Sequence, residues 1–265
     1  MFPLKDNIPL ARLPIVTIAL VALNVLAYLL SIRHGGSFFG GPTDAVAVRW
    51  GAIPYELTHP GSHCELVTLH SAAGTVQSVA CHGPPAVLGS PTAQPASWET
   101  VFTSMFLHGG FLHIFTNMLF LAIFGPTVED RLGRARFTAF YLLGGVIALG
   151  AHVLVSPDAT EPTLGASGAI AAVLGGYIVL YPRARVLSLI FIVFFVTIVE
   201  VPALALLGVW LALQLWFAIA GLASPVGEGG GVAYFAHIGG FAFGLLAIRL
   251  FALRRGASQP PLPVY

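Results

Sequence analysis

Three short motifs carry polar side chains of the kinds that acyl transfer requires, and two of them supply a hydroxyl and an imidazole. Ser167 lies in GASG at residues 165–168, where glycine lets a backbone approach closely and the amides of a helix start can face an anion beside Oγ. His237 lies in AHIGG at residues 236–240 and could act as a general base. Each has a plainer interpretation, because a serine often caps a helix and an isolated intramembrane histidine is most often structural.

The third motif, at residues 108–117, places His113 and Asn117 four residues apart. On a helix these side chains share a face, so both can donate hydrogen bonds towards a common point such as a developing oxyanion. The plainer interpretation is that they join helices, as most intramembrane His and Asn side chains do. The elements that position the motifs must decide between these interpretations.

The composition indicates which solvent surrounds the chain. Of the 265 residues, 57% are hydrophobic and 9% are charged, and the mean hydropathy is +0.87. A soluble domain carries roughly 25% charged residues, so the sequence predicts an integral membrane protein in a lipid bilayer. The formal net charge of +1, without any long basic run, argues against nucleic acid as a partner.

Six apolar stretches are candidate spans, since a crossing needs about 20 predominantly apolar residues. They cover about 13–33, 101–124, 136–156, 166–182, 201–222 and 232–251. A polar side chain inside a span is costly, so each one requires an explanation. The polar residues in question are His108, His113, Asn117, His152, Ser167, Gln214 and His237.

The positive-inside rule orients these spans. Lys and Arg concentrate before the first span, between the second and third, after the fourth and after the last. The N- and C-termini are therefore predicted to be cytoplasmic, which requires an even number of crossings. A seventh apolar run, Val186–Val199, would make the number odd, and Glu200 and Pro202 separate it from the next span. We therefore expect this run to be interfacial, re-entrant or part of one bent element.

The outer loop at residues 35–97 is the one long polar segment. Its Gly, Pro, Ser and Thr residues predict turns, with short strands around 65–69 and 75–80. Both cysteines, Cys64 and Cys81, lie in this loop. They could form a disulfide that closes a hairpin, join the neighbouring His63 and His82 in a Cys2His2 zinc site, or remain free thiols.

Small residues recur every four positions in the fourth and sixth spans, a spacing that lets two helix backbones approach closely. In the sixth span these residues are Ala236, Gly240 and Gly244, and in the fourth they are Gly168, Ala172 and Gly176 or, with slight rotation, Ser167, Ala171 and Gly175. Packing the two faces together would bring the His237 imidazole towards the Ser167 hydroxyl. The topology also places both residues and His113 in the outer half of the membrane.

Together the motifs resemble the rhomboid family of intramembrane serine proteases over about Trp98–Arg249. The resemblance rests on three motifs in this order, which are His-x4-His-x3-Asn (His108, His113, Asn117), Gly-x-Ser-Gly (Gly165, Ser167, Gly168) and Ala-His-x2-Gly-x3-Gly (Ala236, His237, Gly240, Gly244). It implies a single all-α integral membrane domain over residues 1–265. That domain would be a six-transmembrane-helix bundle with a long outer loop between helices 1 and 2.

The resemblance also implies a Ser–His dyad without an acidic third member. Ser167 would attack a substrate carbonyl, with His237 as general base and then general acid. His113, Asn117 and Gly165 would belong to the oxyanion and substrate site, and Gly168, Gly240 and Gly244 would pack the two dyad helices. The substrates would be transmembrane proteins, and neither a metal nor another cofactor is implied.

One position departs from the family pattern. Many members carry an aromatic residue four positions after the serine, where it stacks on the catalytic histidine, and this sequence has Ala171 there. Tyr234 and Phe235, just before His237, are the candidates to replace it.

Two other classes of protein compete with a protease. One is a catalytically weak or silent relative that binds membrane clients, although such relatives usually lack the serine or the histidine. The other is a channel or transporter, for which no inverted repeat or intramembrane acidic pair is visible. We expect the protein in a plasma membrane, since no transit peptide is evident, with its active site opening to the outer side.

Overall fold

The computed structural model describes residues 2–71, 74–82, 95–192, 195–223 and 233–252. Its helices are α1 (Ile15–Ser31), α2 (Asp44–Trp50), α3 (Pro54–Thr58), α4 (Ser97–Thr103), α5 (Phe111–Leu132), α6 (Arg134–Val155), α7 (Ser167–Leu180), α8 (Ala203–Ala223) and α9 (Tyr234–Phe251). Its strands are β1 (Phe2–Asp6), β2 (His63–Ser71), β3 (Gly74–His82), β4 (Arg185–Ile192) and β5 (Phe195–Pro202).

Four of the helices, α5, α6, α8 and α9, are long and apolar enough to cross a membrane. Two more, α1 with 17 residues and α7 with 14, are apolar but shorter. The protein is thus a helical membrane protein. Each of the six predicted spans overlaps one of these helices, but the second, predicted at 101–124, is displaced along the chain, since α5 is Phe111–Leu132. Crossing by α1 and α7 remains a prediction.

Helix α7 lies at the centre of the bundle, with α5, α6 and α9 packed around it. Its residues from Gly168 to Tyr177 are all buried, as expected of a helix that is apolar on every side. The contact with α9 is made by backbone atoms. A Cβ on Gly240 would overlap the carbonyl oxygen of Gly168, and one on Gly244 would overlap that of Ala172. Only glycine at these α9 positions permits this separation.

The segment after α7 corrects the all-α prediction. Val186–Val199 was expected to be interfacial, re-entrant or part of one bent element, and its described residues, 186–192 and 195–199, lie in the antiparallel strands β4 and β5. Strand β1 adds to β4, which gives a three-stranded sheet in the order β1–β4–β5. The run is rich in Val, Ile and Phe, which favour strands. Its described residues are therefore strands, while an interfacial or re-entrant position remains a prediction.

The segment between α1 and α5 contains its own small elements. The strands expected around 65–69 and 75–80 are confirmed as parts of β2 and β3, which pair antiparallel with Cys64 opposite Cys81. The structure joins these cysteines in a disulfide, which leaves no thiolate for the zinc alternative. The buried Glu56 carboxylate accepts a hydrogen bond of 2.6 Å from the Cys64 amide, and burial raises the pKa of Glu56.

At the opposite end of α7, a buried carboxylate ties β1 to the bundle. Asp6 Oδ2 accepts hydrogen bonds from the Thr127 hydroxyl at 2.6 Å and from the Tyr177 hydroxyl at 3.0 Å. Burial raises the pKa of Asp6, although these two hydrogen bonds act in the opposite direction. The strand is thereby fixed to both α5 and α7.

A second carboxylate holds the beginning of α1. Glu129 of α5 accepts hydrogen bonds from the backbone amides of Val16 and Thr17 at 3.0 and 2.7 Å, and from the Thr17 hydroxyl at 2.7 Å. The first amides of a helix have no partner within it and carry a partial positive charge, so a carboxylate stabilises them. The N-terminal end of α1 and the C-terminal ends of α5 and α7 are thus joined by polar contacts.

Candidate active site

Ser167 and His237 meet where α7 begins. Ser167 is the first residue of α7 and His237 lies in the first turn of α9, and its Nε2 is 2.7 Å from Ser167 Oγ. The glycine contact between the two helices sets this distance, since it brings their backbones together one turn further along. The hydroxyl can donate its hydrogen to Nε2, which is the arrangement that a serine nucleophile and its base require.

The other nitrogen of the same ring has a partner that the sequence did not predict. His237 Nδ1 lies 2.8 Å from Oε1 of Gln214, which projects from α8. The sequence identified Gln214 as a polar residue inside a predicted span, but it predicted no role for this side chain. The side chains of Ser167, His237 and Gln214 thus form one continuous hydrogen-bonded chain across three helices.

Two aromatic rings lie beside His237, although position 171 holds an alanine. Ala171 is fully buried in α7. The Trp210 ring of α8 lies 5.8 Å from the His237 ring at an interplanar angle of 40°, and the Tyr234 ring lies edge-on at 6.5 Å. Of the two residues proposed to replace the family's aromatic, Tyr234 is in contact, while Trp210 is closer and was not predicted.

His113 stands on the other side of the serine. Its Nδ1 accepts a hydrogen bond of 3.3 Å from the Gly109 amide, so in the neutral ring Nε2 carries the hydrogen. Gly165 has a φ of +120°, and a Cβ there would lie 2.8 Å from His113 Nε2 and 3.6 Å from Ser167 Oγ. The absence of a side chain at Gly165 therefore keeps open the space between a hydrogen-bond donor and the hydroxyl.

Asn117 is placed less directly than expected. Its Nδ2 donates a hydrogen bond of 2.9 Å to the His113 carbonyl within α5, so one of its two amide hydrogens is engaged. The other remains available to a group in the adjacent cavity, which Asn117 lines. His108 is fully buried behind His113, with the two rings edge-on at 5.1 Å.

A cavity of about 440 Å³ opens beside the hydroxyl. Its walls are mostly apolar and include Met105, Leu149 and Trp210, while the polar groups of Ser167, His237 and His113 converge at one side. This combination of an apolar cavity with a few convergent polar groups is typical of small-ligand and active sites. Among the described residues, no cluster of side chains suited to a metal ion occurs.

Fold and site define a helical membrane protein in which a serine and a histidine from two closely packed helices share a hydrogen bond beside a cavity. The family model of the Rhomboid domain matches residues 95–254, which include every residue of this site. The chain belongs to the rhomboid family.

Similar proteins carry the same family name. The chain is 34% identical over 158 residues to "Rhomboid protein 1, mitochondrial" of Saccharomyces cerevisiae, covering 56% of this chain and 40% of that protein. It is 37% identical over 82 residues to "Putative rhomboid protease YdcA" of Bacillus subtilis, covering 31% of this chain and 40% of that protein. The chain thus aligns with two fifths of the length of each of these relatives.

Proposed function

We propose that this protein is an intramembrane serine protease that cleaves transmembrane proteins with Ser167 and His237. The observation that carries the proposal is the 2.7 Å contact between Ser167 Oγ and His237 Nε2 at the mouth of a cavity. Two findings support it, which are membership of the rhomboid family and the similarity to a Bacillus subtilis protein that is named as a rhomboid protease.

In the proposed reaction, Ser167 Oγ attacks a substrate carbonyl carbon while its proton passes to His237 Nε2. His237 then gives this proton to the leaving amine as the C–N bond breaks. It later removes a proton from the water that attacks the acyl-enzyme and returns it to Ser167 Oγ as the ester bond breaks. The His113 Nε2–H and the Ser167 amide would stabilise the oxyanion, joined by the second amide hydrogen of Asn117.

The length of α7 suggests how deep the reaction occurs. Fourteen residues rise about 21 Å, roughly 9 Å less than the hydrocarbon core. If the inner end of α7 lies at the inner boundary, Ser167 lies about 9 Å below the outer boundary. We accordingly propose six spans, with both termini cytoplasmic and the site opening to the outer side. A plasma membrane location stays a prediction. Several of the similar proteins are named as mitochondrial.

A second cavity provides polar surroundings for the water that the reaction consumes. It has a volume of about 460 Å³ and shares Thr163 and Ala233 with the walls of the first. Its other walls include the polar side chains of His152, Asp158 and Glu161. Asp158 and Glu161 are exposed, so these groups would lead water from the protein surface towards the acyl-enzyme.

The test is cleavage of a reporter protein with one transmembrane helix by the full chain in liposomes. We expect cleavage by the wild type and none by Ser167→Ala or His237→Ala, whereas Ser78→Ala, at an exposed position on β3, cleaves normally. Cleavage by Ser167→Ala would refute the proposal. A wild type that binds the reporter without cleaving it would favour the alternative, a silent relative that holds membrane clients.

A further inference from the structure

The second nitrogen of the His237 ring has a function that the Ser–His pair alone does not include. We propose that Gln214 is a positioning residue, which holds the His237 ring in the tautomer and orientation that present a free Nε2 lone pair to Ser167. The inference rests on the proposed protease function and goes beyond it, because it adds a third residue and a third helix to the site.

The hydrogen-bond roles follow from one requirement. For Ser167 to give up its proton, its O–H must donate to Nε2, so Nε2 carries no hydrogen in the resting state. A neutral imidazole then carries its hydrogen on Nδ1, which becomes a donor that needs an acceptor. The Gln214 amide oxygen lies 2.8 Å away and provides this acceptor. With an apolar residue at position 214, the Nδ1–H would lose its acceptor, and the Nδ1–H tautomer would no longer be favoured by this hydrogen bond.

The surroundings of Gln214 argue against a merely incidental contact. Apart from the two tryptophans, every other residue of α8 is aliphatic, glycine or phenylalanine, so an amide there is costly in lipid unless it has a partner. Trp210 lies one turn before Gln214, on the same face, and packs against the same imidazole. Helix α8 therefore contributes two side chains to His237, one that fixes the ring plane and one that fixes its protonated nitrogen.

The location of Gln214 gives the arrangement a consequence. Helix α8 is the least buried of the four long apolar helices, whereas Ser167 stands on the fully packed α7. A displacement of α8 would leave Ser167 in place and remove the acceptor from His237. The orientation of the base therefore depends on the position of α8.

The test measures the tautomer directly in the full chain. In ¹⁵N-histidine-labelled protein in micelles, with His237 assigned by comparison with His237→Ala, we expect the neutral wild-type ring to be protonated at Nδ1. In Gln214→Leu, which is similar in size but apolar, we expect Nε2–H to become a substantial or major form. A wild-type ring protonated at Nε2 would overturn the proposal, whatever the activity.

Kinetics on the reporter give the second readout. We expect kcat of Gln214→Leu to fall about 10-fold, because the free energy of one lost hydrogen bond corresponds to a rate change of about this size. The KM should be unchanged. Gln214→Glu keeps the acceptor and should restore kcat to within about threefold of the wild type, by the same measure. The acid limb of its pH–rate profile should move to higher pH, because a carboxylate stabilises the protonated ring. Leu213→Ala, at a half-exposed position of the same helix, should behave as the wild type.

The other titratable groups facing His237 are common to all these variants. Within the described residues they are His113 on α5, His152 on α6 and Tyr234 on α9 itself. A shift of the acid limb seen only in Gln214→Glu therefore reports the contact with α8. Unchanged kcat, pH profile and ¹⁵N shifts in Gln214→Leu would overturn the proposal. A wild type that shows the expected tautomer but cleaves nothing, even at high enzyme concentration, would instead refute the protease function.

Discussion

The helix that carries His237 meets α7 and α8, the helices that contribute Ser167 and Gln214, in different ways. Against α7, backbone touches backbone, because glycines at 240 and 244 of α9 place no side chain against the carbonyl oxygens of Gly168 and Ala172. Against α8, the contact is made by long side chains, of which Trp210 and Gln214 reach the imidazole. The tight contact fixes the distance between serine and histidine, and the looser one fixes how the ring is turned.

This difference separates two requirements of a catalytic pair. A distance set by packed backbones can change only if the helices separate, because close-packed interiors resist small deformations. An orientation set by side chains of a less buried helix can change while the fold remains intact. Substitutions in the two contacts should therefore differ in their effects on stability and on activity.

The largest effect should follow substitutions in the tight contact. Gly240→Ala and Gly244→Ala place a Cβ against the carbonyl oxygens of Gly168 and Ala172, so α7 and α9 must separate. We expect the free energy of unfolding to fall by about 1–3 kcal/mol. We expect kcat to fall by about 100-fold or more, because a displacement of the reacting groups by about 1 Å has an effect of this size. Unfolding in mixed detergent micelles and reporter cleavage measure the two effects.

The matched control for these substitutions is Gly208→Ala in α8. A Cβ at Gly208 meets no atom within 4 Å, so the substitution should leave activity unchanged and raise the helix stability by about 0.5–1 kcal/mol. Equal losses in all three variants would show that glycine in this protein serves flexibility and not close approach.

An intermediate effect should follow the loss of the indole in the looser contact. Trp210→Leu removes a ring 5.8 Å from His237, and we expect kcat to fall about 2- to 10-fold, as for the loss of one aromatic pair. Trp216→Leu is the control, because Trp216 is 70% exposed on the same helix. If both variants lost activity equally, the effect would belong to α8 as a whole and not to the ring contact.

The smallest effect on activity should come from the C-terminal end of α7, away from both contacts. Asp6→Ala leaves the Thr127 and Tyr177 hydroxyls without their acceptor, so we expect a stability loss of about 1–3 kcal/mol. Cleavage by the folded variant should remain close to that of the wild type. A large loss of kcat would show that α7 is positioned from its C-terminal end and not by its contact with α9.

Asp6→Asn separates the charge of this carboxyl from its hydrogen bonds. Both hydroxyls donate to one oxygen of Asp6, which an amide oxygen can replace. Because burial raises the pKa of Asp6, the folded protein binds this proton more tightly than the unfolded chain does. Its contribution to stability should therefore fall as the pH rises from about 4 to the folded-state pKa, and then remain level. Unfolding measured between pH 4 and 8 should lose this dependence in Asp6→Asn.

The sequence indicated the contact between α7 and α9 because small residues every four positions leave a readable pattern on both helices. The pairing of Ser167 with His237 followed from that pattern and from the predicted topology. The contact with α8 left no such pattern. Helix α8 is itself apolar on every face, so its sequence does not show that the face with Gln214 and Trp210 packs towards the bundle.

The hairpin of β4 and β5 escaped prediction for a related reason. A continuous apolar run has no period of two or of 3.6, so a buried strand and a helical segment look alike. Parity excluded a full crossing for Val186–Val199 but could not identify a strand. Its pairing with β1 joins residues about 185 positions apart, which no local pattern encodes.

The measurement that tests the central claim most directly is covalent labelling of the full chain by a fluorophosphonate, with the modified residue located by mass spectrometry. If His237 activates Ser167, the label forms on Ser167 in the wild type, and it is lost in Ser167→Ala and strongly reduced in His237→Ala. Labelling of a different residue would contradict the account. So would the absence of any label on a wild-type protein whose cooperative unfolding transition shows that it is folded.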